Sequence, residues 1–190
     1  MKKNEIVFLP GNEILPKLYI DMVFVEEKSP ILFTCIDEFD DMYLCSCHRS
    51  DSEKKEWIIV RTPPENVLDL LTDRITIQSA IISCEDIYIA TLSNGIPAPQ
   101  ISRTKIDKIS PDILPTAGYY MEADDHEFDD EIEVLRRRIE SKILRTKYHI
   151  TFYMKQFTQK IDLIGISPIR NIDPQSGDVI STYNYRLAMN

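Results

Sequence analysis

Apolar and polar positions along this chain change period twice, and the changes mark its elements. Leu18 to Val25 (Leu18, Tyr19, Ile20, Asp21, Met22, Val23, Phe24, Val25) is dense in β-branched and aromatic residues and predicts a strand. Ser29-Pro30 interrupts it, and Ile31 to Ile36 predicts a second strand. Asp37-Glu38-Phe39-Asp40-Asp41 reads as a hairpin connection without the glycine of the tightest turns, and Met42 to Cys47 returns as a third strand. The polar stretch Arg49 to Glu56 predicts a loop, and Trp57 to Val60 a fourth strand. Short connections between successive strands imply an antiparallel meander.

The period then shifts from two to between three and four. Thr62-Pro63-Pro64-Glu65 is a helix start: Thr62 as N-cap, proline at the first helical position and Glu65 closing a capping box. Val67, Leu68, Leu70 and Leu71 form the apolar stripe of a short helix, and Thr76 caps a second over Ile77 to Ile82. Glu85 to Thr91 predicts a fifth strand. Residues 18–92 thus read as a small curved antiparallel sheet with a helical hairpin on one face.

Residues 93–118 hold Asn94-Gly95, Pro97, Pro99, Pro111, Pro115 and Gly118, which reads as a linker or a surface-hugging segment with little regular structure apart from a short strand at Gln100 to Lys105. Phe128 to Lys147 is the longest helical stretch, its stripe carried by Ile132, Leu135, Ile139 and Ile143. Strands are predicted over Tyr148 to Met154, Ile161 to Ile166 and Val179 to Leu187, with Asp173 to Asp178 turning between the last two. The fold class is α+β. An acidic core domain spans 1–118, and a helix-and-strand extension packed on that core spans 119–190.

Composition adds a boundary to this picture. The chain has 190 residues with 31 acidic and 22 basic side chains, a formal charge of −9. That average hides a split. Residues 1–133 carry 12 basic and 27 acidic side chains, a net of −15, whereas 134–190 carry 10 and 4, a net of +6. A uniformly basic nucleic-acid coat is excluded, but a local basic face is not. No window of about 18 apolar residues occurs, so no spanning helix is expected. The apolar run after Lys2 and Lys3 ends at Leu9, too short for a secretory signal, so the expected location is the cytoplasm.

The basic residues after Glu133 have two readings. Pairing of Glu133 with Arg137 and Arg136, plus compensation of the helix dipole, accounts for some of them. As a phosphate-binding stripe, Arg136, Arg138, Lys142, Arg145, Lys147, Lys155 and Lys160 would contact nucleic acid, although no base-reading motif accompanies them.

Metal chemistry has one candidate among the cysteines. Cys45 and Cys47 share a strand face and Cys35 could meet them from the neighbouring strand. A fourth ligand is missing unless a bulge re-aims His48 or Cys84 folds back, and free cysteines also serve as small core hydrophobes. The acidic run Asp124-Asp125-His126-Glu127-Phe128-Asp129-Asp130 is the densest set of oxygen and imidazole donors, as two-metal nucleases use for divalent cations. It lacks the order and glycine of a calcium loop, its carboxylates are consecutive, and it reads chiefly as a solvated loop. There is no Gly-x-Ser-x-Gly, phosphate loop, dinucleotide fingerprint or His-Glu-x-x-His. His149, beside Thr151 and Tyr153, reads as a structural histidine. No cofactor is expected.

The segments Pro30-Ile31-Leu32-Phe33-Thr34-Cys35, Met42-Tyr43-Leu44-Cys45, Glu56-Trp57-Ile58-Ile59-Val60 and Ile75-Thr76-Ile77-Gln78-Ser79-Ala80 resemble an uncharacterised family of small bacterial proteins. Its pattern is a PxLF strand, a YL strand, a W-I-I strand and a short helix, and the resemblance covers residues 18–92. These are core positions, so the resemblance implies a fold and no catalytic residues. It also implies a genetic setting beside larger machinery such as antiviral defence or toxin–antitoxin systems. The expected function is a non-catalytic interaction module, an accessory or regulatory subunit of a bacterial cytoplasmic complex. The alternative is a nucleic-acid-binding or metal-dependent nucleic-acid-processing protein using the basic 136–160 face. A protein partner is expected, membrane association is not, and unpaired edges of the C-terminal strands would permit a homo-oligomer.

Overall fold

A computed structural model describes residues 6–96, 98–124, 126–144, 169–172 and 179–182. It divides into two compact units, Met1–Glu140 and Ser141–Asn190.

The first unit is built on a seven-stranded antiparallel sheet in which every strand neighbours the next in sequence. The strands are β1 (Val7–Leu9), β2 (Leu18–Glu26), β3 (Pro30–Ile36), β4 (Met42–Ser50), β5 (Lys54–Arg61), β6 (Ile87–Ser93) and β7 (Gln100–Thr104). Two helices, α1 (Pro64–Leu71) and α2 (Ile77–Ile82), bridge β5 and β6. Residues 129–144 form a third helix, α3. The mixed α+β class and the antiparallel meander therefore stand.

Several local expectations change. The loop expected over residues 49–56 is mostly strand, because Asp51 closes a tight turn: its carboxylate accepts the Glu53 and Lys54 amides at 2.9 and 2.7 Å. This lets β4 and β5 pair out to Ser50 and Lys55. Helix α1 starts one residue later than expected, at Pro64, and no side chain caps it. Thr62 turns inward instead and accepts a 2.9 Å hydrogen bond from the Asn66 side chain. Thr76 does cap α2, accepting the Ser79 amide at 3.1 Å. The strand expected from Glu85 begins two residues later, and residues 7–9, read only as a short apolar run, add an edge strand.

Trp57, Ile58, Ile59 and Val60 are all buried, so the sheet is covered on both faces. Leu32, Leu44, Ile58, Val60 and Ile87 pack beneath Val67, Leu70 and Leu71 of α1, Ala80 and Ile81 of α2, and Phe128 and Leu135. The opposite face carries Phe33, Cys35, Tyr43, Cys45, Trp57, Ile59 and Tyr88, closed by Leu9, Leu15 and Leu18. The chain before β2 reaches that face through a turn at Gly11, whose φ is +79° and where a Cβ would lie 2.5 Å from the Lys17 nitrogen. Asn12 completes the turn by accepting the Ile14 and Leu15 amides at 2.8 and 2.9 Å.

Among the described residues of the second unit, β8 (Ile169–Ile172) and β9 (Val179–Thr182) pair antiparallel, with Ile169 opposite Thr182. A strand over 169–172 was not expected from the sequence. The expected strands over 148–154 and 161–166 lie outside the described residues, as does the turn over 173–178. Among the described residues, no helix is long and apolar enough to cross a membrane.

Candidate interaction surface

Helix α3 is pinned to the sheet by one ion pair. Leu135 is fully buried on the helical side of the sheet, and Ile132 packs partly against the same cluster. Ile139, the next residue of the expected stripe, is half-buried, whereas Ile143 is 60% exposed. Three residues after Leu135, Arg138 grips Asp21 of β2 with both guanidinium nitrogens, at 2.6 and 2.7 Å. The Asp21 side chain is 2% exposed and that of Arg138 30%. Such a two-pronged geometry is the strongest form of the arginine–carboxylate pair. The Asp21 hydrogen bonds raise the Arg138 pKa further, against the opposing effect of burial.

This placement corrects the phosphate-stripe reading at Arg138, whose guanidinium is committed to an internal carboxylate. Arg136 and Lys142 are exposed on the same helix. Arg137 pairs with Glu133 one turn earlier, the surface pair expected from their spacing. Arg145, Lys147, Lys155 and Lys160 lie outside the described residues, as does His149.

The cysteines follow the expected geometry but sit in apolar surroundings. Cys35, Cys45 and Cys47 meet on one face, with Cys35 and Cys45 buried and Cys47 partly so. Burial pushes the Cys45 thiol well up, and its neighbour Cys35 adds to the shift. Burial also raises Cys47. Raised thiols are poor metal ligands and poor nucleophiles. Cys84 is buried with the helical side of the sheet, away from the other three. A bulge does occur at His48, between the Cys47–Trp57 and Arg49–Glu56 pairs. It delivers the imidazole to the Glu56 carboxylate at 3.5 Å rather than to the thiols.

Glu56 is also held by Lys54 at 2.5 Å and Thr91 at 3.0 Å. Burial pushes its carboxyl up, but the Lys54 and Thr91 hydrogen bonds and the Lys54 and His48 charges outweigh that and leave its pKa lowered. The cluster stitches β4, β5 and β6 together. In the acidic run, His126 and Asp129 pair at 2.7 Å in the open, and Asp125 lies outside the described residues. Among the described residues, no group of three or more His, Cys, Asp or Glu side chains is placed to hold a metal ion.

The β3–β4 turn holds features that sequence reading passed over. It connects two strands in register, Ile36 facing Met42. Asp37 is buried, and one carboxylate oxygen accepts the Phe39 and Asp41 amides at 2.8 and 2.9 Å. Its other oxygen accepts the Tyr43 hydroxyl at 3.3 Å. Burial, then the Asp37 charge, raises the Tyr43 pKa, so that hydroxyl stays a donor. Asp40 adopts a φ of +62°, and Asp41 pairs with Arg61 at 2.5 Å. At the tip, Phe39 is 75% exposed, the highest value among the large apolar residues described. The visible signal was an aromatic residue set between carboxylates with no apolar neighbour to join.

Compared with protein-family models, curated proteins and solved structures, the chain matches none.

Proposed function

We propose that this chain is a non-catalytic interaction module, an accessory or regulatory subunit of a bacterial cytoplasmic complex, as in antiviral defence or toxin–antitoxin assemblies. The observation that carries the reading is charge placed on a finished scaffold. The sheet of the first unit is closed on both faces by its own chain, while the sequence over residues 1–133 carries a net −15. A body that needs no partner to complete its core, yet holds a strong excess of one sign, is suited to recognising a surface of the opposite sign. The self-repulsion of that excess is relieved when a basic partner docks.

Capture of a tagged full-length chain from its native cell, after nuclease treatment, tests this. A stoichiometric protein partner that is lost at high salt supports the reading, and its absence overturns it. A second reading, nucleic-acid binding through the basic 136–160 face, is supported by the exposure of Arg136 and Lys142. A low-salt gel shift with single- and double-stranded probes separates the two, because retention that falls steeply with salt favours nucleic acid.

A further inference from the structure

We propose that the β3–β4 turn is the docking element of this module. Phe39 enters an apolar pocket on a protein partner, and the carboxylates around it face a basic rim on that partner. The inference rests on the interaction-module reading and names the surface and the chemistry of its partner.

The aromatic residue is the first support. The chain buries Phe24, Phe33 and Phe128 but leaves Phe39 three-quarters exposed at the tip of a hairpin. A lone exposed aliphatic side chain needs no explanation, but an aromatic anchor on a protruding tip matches the residues that dominate protein interfaces.

The second support is how firmly the tip is held. A buried carboxylate, Asp37 at 5% exposure, binds the amides of Phe39 and Asp41 and accepts the Tyr43 hydroxyl. The Asp37 amide donates to the Asp41 carbonyl at 3.1 Å, and the Asp40 amide to the Asp37 carbonyl at 3.3 Å. The backbone on both sides of Phe39 is fixed before any partner arrives, so little ordering remains to be lost on binding.

Charge decides the kind of partner. Asp37, Glu38, Asp40 and Asp41 flank Phe39 in the turn, and Asp21 pairs with Arg138. Among the described residues, the cations placed against this group are Arg61, paired with Asp41, and Arg138, paired with Asp21 and within electrostatic reach of Asp40. Among the described residues, carboxylates outnumber cations there, which repels phosphate backbones and anionic lipid. It favours a protein surface rich in lysine and arginine.

The test uses the tagged full-length chain as wild type, Phe39→Ala, and the paired neutralisation Glu38→Gln with Asp40→Asn. Leu92→Ala, exposed elsewhere on the sheet, is the control. Each bait is used for capture from nuclease-treated native lysate. Any stoichiometric protein is then purified and titrated against all four by calorimetry. The expected result is a basic protein whose Kd weakens about 30-fold with Phe39→Ala, as for an interface hot spot. Neutralisation should slow association and flatten the salt dependence, and Leu92→Ala should change nothing. A partner bound equally by wild type and Phe39→Ala overturns the docking element and leaves the module reading intact. No stoichiometric partner with any bait overturns both. A partner that is acidic, or is a second copy of this chain, overturns the assignment of the partner's chemistry.

Discussion

Removing the Arg138 side chain should destabilise the protein more than removing the charge of Asp21. The two partners differ in where they would be stranded. The Asp21 side chain is 2% exposed, so Arg138→Ala leaves a buried anion whose remaining side-chain hydrogen bond among the described residues is the long one from the Thr34 hydroxyl, at 3.5 Å. Breaking a buried pair from one side costs ~3–5 kcal/mol. Arg138 is 30% exposed, so water already reaches it and screens the pair, which places the cost near the low end, about 3 kcal/mol. Asp21→Asn should cost less, about 1–2 kcal/mol, because an amide still accepts a hydrogen bond and the freed guanidinium can hydrate. The double variant Asp21→Leu with Arg138→Met removes both charges and should recover part of the loss. Urea unfolding of the full chain, followed by tryptophan fluorescence of Trp57, reads each value, and Glu133→Gln, which breaks an exposed pair, is the control expected within about 0.5 kcal/mol. If Arg138→Ala were no worse than this control, the clamp would contribute nothing and Arg138 would be available to other ligands after all.

Three further outcomes follow from the geometry. Asp51 should titrate at about 2, below its ordinary 3.8, because the Glu53 amide, the Arg49 guanidinium and the Lys54 amide bind its charged form. Since its folded pKa lies below its unfolded one, its support for the β4–β5 turn is complete above the unfolded value and is lost as pH falls from about 4 through about 2. Carboxyl NMR giving a midpoint near 3.8 would contradict this. Gly11→Ala should lower stability by more than the ~1 kcal/mol of an ordinary glycine substitution, since the methyl meets Lys17 backbone at 2.5 Å and φ is positive. A melting temperature unchanged within 1–2 °C, against the expected fall of several degrees, would show that the turn opens freely. Finally, a thiol reagent applied to the native protein should modify Cys47 well before Cys35, Cys45 and Cys84, which are buried. Simultaneous labelling of all four, read by mass spectrometry, would refute the two-sided core.

Local chemistry carried much of the fold. Thr76 caps α2 because its side chain reaches three residues along the backbone, and Ile77 to Ile82 is helical as its sequence predicts. Tyr43, Cys45, Trp57 and Ile59 fall on one face by strand alternation alone. Sequence and structure part where a competing partner overrides the expected local arrangement. Thr62 has the chemistry of an N-cap, yet Asn66 takes its hydroxyl and the helix starts at Pro64. Residues 49–56 look like a polar loop, but Arg49 and Ser50 pair with Glu56 and Lys55 across the Asp51 turn, and Lys54 to Glu56 also pair with β6. Phe39 could be placed on a turn from sequence, but its 75% exposure is decided by how that turn folds.

The sequence by itself determined the antiparallel meander of the central strands and the places of the short helices, because each depends on residues close together in the chain, and it determined the division of charge, which is a matter of composition alone. Only the tertiary structure decided what covers the second face of the sheet and which arginine is internal. Asp21 and Arg138 are 117 positions apart. A guanidinium exposed on an isolated helix and one held by a buried carboxylate have the same local sequence. Their difference is the free energy of burying an anion, which exists only once the helix and the strand have met.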